Sequence, residues 1–328
     1  MRQLLDPFLL TIIGAGIVAS IFPATGVWAD ILNVATTVAI GALFFLYGAR
    51  LSPSETLAGL RHWRLHVTIF AFTFVVSPLI GLGLTVVLNG RISPALVAGI
   101  LYLTLVPSTI QSSIAFTSVS KGNVAGAIVS ASASNIIGVF LTPALVWLLL
   151  TRTSQVSITP SAILDVALQI LAPFVAGQLS RRWTAKFVNG HPRLKLIDQG
   201  SIVLIVYQAF SEGMAQHMWN QTSWPEIVVL VVVCLVVLAF MFTATWWVAK
   251  RLGFSREDVI AIQFCGTKKS LATGLPMATA LFAGQPIGLL VLPLMIFHQA
   301  QLMICPVLAG HYARQTTIGL DDEPSQPA

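Results

Sequence analysis

A chain of 328 residues in which 56% are hydrophobic and 9% are charged is too apolar for an ordinary soluble globule. The composition indicates a polytopic membrane protein, and its continuous apolar runs favour helices over a β-barrel. The net charge of +6 is accounted for by basic loops beside anionic lipid and does not indicate nucleic-acid binding. We expect the lipid bilayer and no nucleic acid as partner.

The apolar runs predict ten transmembrane helices, each close to the roughly 20 residues that cross a bilayer. In chain order the runs cover residues 8–22, 31–48, 66–88, 94–118, 123–150, 161–180, 195–211, 226–249, 257–282 and 286–309. With both termini in the cytoplasm, fourteen of the 18 Lys and Arg lie inside, and Arg91 and Arg152 lie outside. We therefore expect a multi-pass protein of the plasma membrane, which is the inner membrane in a bacterium, with cytoplasmic termini.

The longest polar interruption, residues 181–195, follows the sixth of the ten runs, near the middle of the chain, and indicates two halves of about five helices each. An odd number of helices per half places the halves in opposite orientations, so the pattern predicts two five-helix inverted repeats. In terms of the chain, residues 1–180 contain the first repeat (helices 1–5) plus helix 6, and residues 181–315 contain helices 7–10. Residues 316–328 are predicted to be a disordered cytoplasmic tail.

Two adjacent lysines, Lys268 and Lys269, interrupt the ninth run. Lys268 follows Arg256 by twelve residues, about 18 Å of helix, and Lys269 precedes Gly284 by fifteen, about 22 Å. Both therefore fall near the middle of a hydrocarbon core about 30 Å thick. Because charge at that depth is costly, the pair indicates a functional site.

A second interruption is predicted in the fourth run, at Val106-Pro107-Ser108. Proline lacks the backbone donor that continues a helix, and nearby hydroxyls can bond to the freed carbonyls. The sequences that follow the two interruptions are alike, since residues 109–115 read TIQSSIA and residues 267–272 read TKKSLA. This similarity supports the inverted repeat.

Three interpretations of the lysines are open. The Lys268 ammonium could be a tethered cation in the space of a sodium ion, and because burial disfavours its charged form it could also carry a proton. Alternatively, one or both lysines bind an organic carboxylate or phosphate, aided by the positive ends of half-helices that begin at Gln111 and Lys269. In the third interpretation the lysines only bond to backbone carbonyls and keep the interruption rigid.

Several stretches resemble the bile acid:sodium symporter family, in particular its symporter-like branch related to the seventh vertebrate member of that solute carrier group. They are residues 45–52 (FLYGARLS), 121–123 (KGN), 141–144 (LTPA) and 266–272 (GTKKSLA). The resemblance implies a panel lobe and a core lobe, with broken helices 4 and 9 crossed in the core. It also implies alternating access, with substrate held between the lobes and sodium behind the crossed helices.

Carried over residue by residue, the family's sodium positions fall on Thr73, Ser112, Ser113, Ala127, Ala131, Gln263, Phe264, Gly266 and Thr267. Ser112, Ser113, Gln263 and Thr267 are the candidate metal ligands. Further candidate substrate- or ion-binding residues are Thr117, Asn123, Ser130, Lys268, Lys269, Ser270 and His298. His298 could relay protons or simply bond to a carbonyl of a neighbouring helix.

The chain departs from the family at several of these places, and Ala127 and Ala131 stand where the family has hydroxyl-bearing residues. Gln263 stands where sodium-coupled members have a glutamate, and Lys268 stands where they have an asparagine. Glutamine keeps an oxygen ligand but lacks the negative charge that offsets Na⁺. The coupling ion is thus left open between Na⁺, H⁺ and none, and no cofactor is expected.

These features predict a secondary-active transporter that moves a small organic anion by alternating access. The alternative is a non-transporting membrane regulator of ion (calcium) homeostasis, which the resemblance to the vertebrate branch suggests. An enzyme is not predicted, because HExxH and paired-aspartate motifs are absent from the sequence. A dyad of Ser112 or Ser270 with one of the lysines could in principle activate a serine nucleophile.

Overall fold

A computed structural model describes residues 7–50, 62–150, 167–191, 194–215, 222–282, 285 and 287–321. Within these ranges the chain is helical and has no strand, which confirms the predicted all-α class. The helices are α1 (Pro7–Ile21), α2 (Val27–Arg50), α3 (Trp63–Ala71), α4 (Ser77–Leu88), α5 (Pro94–Leu105), α6 (Ile110–Val119), α7 (Val124–Leu145), α8 (Ala172–Gly190), α9 (Leu194–Ala215), α10 (Trp224–Arg251), α11 (Arg256–Thr267), α12 (Leu271–Leu281) and α13 (Ile287–Asp321).

Three π-helical segments accompany these helices. Phe72–Val76 joins α3 to α4, Val146–Leu150 extends α7, and Ala167–Leu171 precedes α8. A π segment shifts the backbone hydrogen-bond register, and such segments are frequent at functional sites.

Five described segments are long and apolar enough to cross a membrane: Val27–Arg50, Trp63–Leu88, Val124–Leu150, Trp224–Arg251 and Ile287–Gln315. The pair α5 and α6, bent by 59°, forms a sixth if it is one broken span. The expectation of a multi-pass membrane protein is confirmed, whereas the number ten stays a prediction. Helix α1 has only 15 residues, and Lys268, Lys269 and Ser270 separate α11 from α12.

At each end of the bundle, a hydrogen bond joins the beginnings of two neighbouring helices. At one end, Glu226 of α10 accepts a 2.6 Å hydrogen bond from the backbone of Ser93, which caps α5. At the other end, Asn123 caps α7 and donates a 2.7 Å bond to Asp258 in the first turn of α11. These contacts fix where the helices enter the bundle.

Glycines allow close approach of backbones at particular helix pairs. A Cβ at Gly48 of α2 would overlap the carbonyl of Phe174 in α8, and a Cβ at Gly177 would overlap the carbonyl of Phe45. In the same way, Gly99 lets α5 approach the Leu290 carbonyl of α13. The contact at Gly99 packs α13 against α5, the helix that leads into the first interruption.

Some predicted boundaries differ from the observed helices. The polar residues after 180 continue α8 to Gly190, with Arg182 stacked 3.8 Å from the centroid of Trp183, so the division placed after residue 180 falls inside a helix. Polar side chains at a membrane surface do not by themselves end a helix, which explains the difference. Helix α13 continues to Asp321, so residues 316–321 of the predicted tail are helical. The start of the sixth apolar run (161–166) and the end of the tail (322–328) lie outside the described residues.

Candidate functional site

The first interruption separates α5 from α6. After Leu105 the backbone becomes extended at Val106 (φ −77°, ψ 152°), and Thr109 is again extended before α6 begins. Pro107 disfavours helical geometry in the residue before it and donates no backbone hydrogen bond. The sequence therefore breaks the helix where the structure shows the break.

The second interruption separates α11 from α12 and contains both lysines. Helix α11 ends at Thr267, and Lys268 is extended (φ −74°, ψ 148°). Ser270 then caps α12 by accepting a 3.2 Å hydrogen bond from the backbone of Thr273. The half-helices thus begin at Ile110 and Leu271, rather than at Gln111 and Lys269 as predicted.

The two interruptions are in direct contact, and we call residues 106–109 together with 268–270 the crossing. The Ser270 amide donates to the Pro107 carbonyl at 2.8 Å, and the Thr109 hydroxyl donates to the Lys269 carbonyl at 2.9 Å. One backbone carbonyl at each break therefore accepts a hydrogen bond from the other break, which helps to satisfy polar groups that are buried in an apolar bundle.

Lys269 is buried, with 2% of its surface exposed, and its ammonium contacts backbone oxygens. Nζ donates to the carbonyls of Thr73 at 3.0 Å, Thr104 at 2.8 Å and Val106 at 3.1 Å. The first carbonyl belongs to the π segment between α3 and α4, and the other two lie at the end of α5. This is the carbonyl bonding of the third interpretation, made here by Lys269, whereas the tethered cation was predicted for Lys268.

Lys268 has no exposed surface and extends toward side chains of α6. Its Nζ donates to the Ser112 hydroxyl at 2.8 Å and lies 4.1 Å from the ring centroid of Phe116, with the thiol of Cys305 beside it. Ser112 is in the first turn of α6, where the helix dipole is positive. A lysine and a helix N-terminus in one place create a region suited to an anion.

Helix α13 contributes the third part of the site. The Gln301 Oε1 accepts a 3.1 Å bond from the backbone amide of Lys269, and His298 Nδ1 lies 3.3 Å from the Lys269 carbonyl. The His298 contact is the bond to a neighbouring helix carbonyl, one of the two roles considered for it. In the part of the chain that the structure describes, Nε2 of Gln301 is buried and has no hydrogen-bond partner.

The candidate metal ligands bond to protein groups. Gln263 donates from Nε2 to the Phe242 carbonyl at 2.9 Å and accepts at Oε1 from the Tyr312 hydroxyl at 2.7 Å. The Ser113 hydroxyl is 3.5 Å from the Phe264 carbonyl. Ser113 also lies 3.4 Å from the Ser108 hydroxyl. Thr267 lies 3.4 Å from the Thr245 hydroxyl, and the Thr73 hydroxyl donates to the Ile69 carbonyl at 2.9 Å.

The other predicted residues are more dispersed. Ser130 pairs with His66 Nδ1 at 2.7 Å, and Asn123 lies at the end of the bundle where α7 and α11 begin. Thr117 is buried, and its hydroxyl has no partner among the described residues. The predicted groups that the structure brings together at the crossing are therefore Ser112, Ser113, Lys268, Lys269, Ser270, His298 and the Thr73 carbonyl.

Sequence reasoning left two residues that bond to the crossing out of the candidate site. Asn135 of α7 donates to the Ser108 carbonyl at 2.7 Å and accepts from the Thr273 hydroxyl at 2.8 Å. A lone asparagine in an apolar run indicates an interhelical hydrogen bond, which is its role here. Gln301 follows His298 in the same polar group of an apolar helix, and that group was the available signal.

Two interrupted helices that contact each other inside an apolar bundle, with buried polar groups at the breaks, are the architecture of a secondary transporter. The comparisons agree: the chain belongs to the SBF-like CPA transporter family, whose model matches residues 6–314. This confirms the resemblance drawn from the sequence motifs.

Three relatives illustrate the similarity. The chain is 50% identical over 315 residues to an uncharacterized protein of Pseudomonas aeruginosa and 45% identical over 315 residues to a putative symporter of Escherichia coli, covering 96% of this chain and 95% of each relative. It is 30% identical over 308 residues to sodium/bile acid cotransporter 7 of Rattus norvegicus, covering 92% of this chain and 90% of that protein.

Proposed function

We propose that this chain is a secondary-active transporter that carries a small organic anion by alternating access. The observation that carries the proposal is the position of the Lys268 ammonium, buried beside Ser112 at the N-terminal end of α6. A buried charge bonded to a neutral hydroxyl is favourable where a ligand of opposite charge completes its coordination. A carboxylate or phosphate oxygen is such a ligand.

The full architecture we propose has ten spans in two inverted five-helix repeats, with a panel lobe and a core lobe. The support is that each half of the chain contains one interrupted helix pair, α5 with α6 and α11 with α12, and that the two interruptions bond to each other. Movement of one lobe against the other would then expose the crossing to either side in turn.

The proposed orientation places both termini in the cytoplasm of a plasma membrane. Basic residues are concentrated at the end of the bundle where α7 and α11 begin: Arg64 bonds to the Leu252 carbonyl and Arg256 to the Tyr312 carbonyl. Lys250 and Arg251 lie against Trp246 and Trp247 at the end of α10. Basic residues and interfacial tryptophans favour this end as the cytoplasmic one.

Transport is favoured over a regulator of calcium handling because the relatives bear names such as symporter and cotransporter. The proposed role for Lys268 gives a direct test. A panel of short mono- and dicarboxylates and inorganic phosphate is first screened by thermal shift on the purified protein, since a bound ligand raises Tm by mass action.

Uptake of a stabilising anion is then measured in proteoliposomes. Loss of a charge-assisted hydrogen bond is worth about 1.5–3 kcal/mol, so Lys268→Gln should lower uptake by about tenfold or more. Lys250→Ala, which removes an exposed lysine of α10, is the matched control and should leave uptake unchanged. Unaltered uptake in Lys268→Gln would refute the proposed role.

A further inference from the structure

Three backbone carbonyls converge on the ammonium of Lys269, which has three N–H donors and no acceptor. The three hydrogen bonds therefore use the full donor capacity of the group. In transporters, carbonyls exposed by unwound helix segments are ligands for coupling cations. In this chain a side chain of the protein itself occupies such a position.

The sequence explains why these carbonyls are available. The Thr104 and Val106 carbonyls lie at the end of α5, where the helix dipole is negative and where Pro107 has no N–H to offer. The Thr73 carbonyl lies within the π segment Phe72–Val76, where the backbone register is shifted. Two irregular segments thus turn their oxygens toward one cation.

Among the described residues, a sodium ion at the crossing would have no carboxylate beside it to offset its charge. The Gln263 amide is bonded at both ends to Phe242 and Tyr312, and in the part of the chain that the structure describes neither lysine forms an ion pair with a carboxylate. The buried acid that is described, Asp258, is bonded to Asn123 where α7 begins. A sodium ion would also be repelled by the fixed charge of Lys269.

We propose that Lys269 is a fixed internal cation that takes the place of a coupling sodium ion, so that the crossing binds no Na⁺ and transport does not depend on Na⁺. The independence of transport from Na⁺ rests on the proposed function. The absence of Na⁺ binding at the crossing does not, because binding to the purified protein is measured at equilibrium and needs no transport.

The first test measures Na⁺ binding to the wild-type protein. Thermal unfolding is recorded in NaCl, KCl and choline chloride at equal ionic strength, and binding of radioactive ²²Na⁺ is measured by scintillation proximity. We expect the same Tm in the three salts and no saturable ²²Na⁺ signal. A higher Tm in NaCl together with saturable binding would overturn the proposal, whether or not the protein transports an anion.

The second test removes the cation and supplies a free one. Lys269→Ala removes the ammonium donor from three buried carbonyls, of which the Thr104 carbonyl still accepts from the Ser77 hydroxyl, and Tm should fall by about 5 °C or more. Methylammonium chloride, compared with choline chloride, should restore part of this loss because it can enter the space left by the side chain. Lys268→Ala is the control and should show no such recovery, since the Lys268 ammonium bonds to a hydroxyl rather than to these carbonyls.

An unchanged Tm in Lys269→Ala, or equal recovery in both variants, would refute the fixed-cation role. If Lys269→Ala does not fold, Lys269→Met retains the length of the side chain and is measured in the same salts, with the same criteria. Absence of anion uptake together with a Tm that is indifferent to Na⁺ would count against the proposed function and leave this inference standing.

Discussion

Thr273 of α12 donates its hydroxyl hydrogen to the Oδ1 of Asn135 at 2.8 Å, and the same amide donates from Nδ2 to the Ser108 carbonyl at 2.7 Å. One side chain of α7 thereby connects the two interruptions, which lie far apart in sequence. The crossing is held by this bridge and by the direct bond between Ser270 and Pro107.

Replacing the bridging amide should destabilise the protein. Asn135→Leu removes the bonds to both interruptions and leaves the Ser108 carbonyl and the Thr273 hydroxyl buried without this partner, which costs about 2–4 kcal/mol in free energy of unfolding. Thr273→Val removes one of the bonds and should cost roughly half as much. Thermal or denaturant unfolding of the two single variants and the double variant measures the coupling between Asn135 and Thr273. If the losses in free energy of unfolding simply add in the double variant, the two residues do not share a bridge.

The hydroxyl of Tyr312 connects α13 to Gln263 in α11. Tyr312→Phe removes this hydroxyl and leaves Oε1 of a buried amide without that donor, so we expect a loss of about 1–2 kcal/mol in stability. Gln263→Leu should make the Tyr312→Phe change nearly neutral, because the acceptor is then gone. If Tyr312→Phe caused the same loss of stability in the Gln263→Leu background as in the wild-type protein, the two side chains would not depend on each other.

The packing of α7 against the first interruption gives a third prediction. A Cβ at Gly138 would lie 2.7 Å from Cβ of Pro107, so Gly138→Ala should displace the crossing and lower both Tm and anion uptake. Gly83→Ala, in α4, is the matched control because its Cβ meets nothing within 4 Å. The control should be neutral or slightly stabilising, since alanine in a helix is favoured over glycine by about 0.5–1 kcal/mol. Equal effects of the two substitutions would refute the proposed close contact.

Local signals in the sequence were enough to locate both interruptions. Pro107 restricts its own backbone and that of Val106, and two lysines in an apolar run mark the other break whatever the rest of the fold is. Helix ends at the membrane surface were less predictable, because Arg181 and Arg182 are polar and still good helix formers, so α8 continues to Gly190.

The roles of the two lysines could not be assigned from the sequence. Nζ of Lys269 bonds to carbonyls that are 196, 165 and 163 positions away in the chain, and no pattern near residue 269 specifies them. Adjacent residues in an extended segment point in different directions, and tertiary packing alone decides which lysine meets α6 and which meets the π segment. For the same reason the sequence did not show that Gln263 is bonded to Phe242 and Tyr312.

We propose different functions for the two lysines, with Lys268 available to an anion and Lys269 engaged by the backbone. The decisive measurement compares Lys268→Gln with Lys269→Gln in one thermal-shift experiment, with and without the anion that most stabilises the wild-type protein. We expect Lys268→Gln to keep the ligand-free Tm and to lose the shift caused by the anion, whereas Lys269→Gln should lower the ligand-free Tm. An intact anion shift in Lys268→Gln, or an unchanged ligand-free Tm in Lys269→Gln, would show that this assignment is wrong.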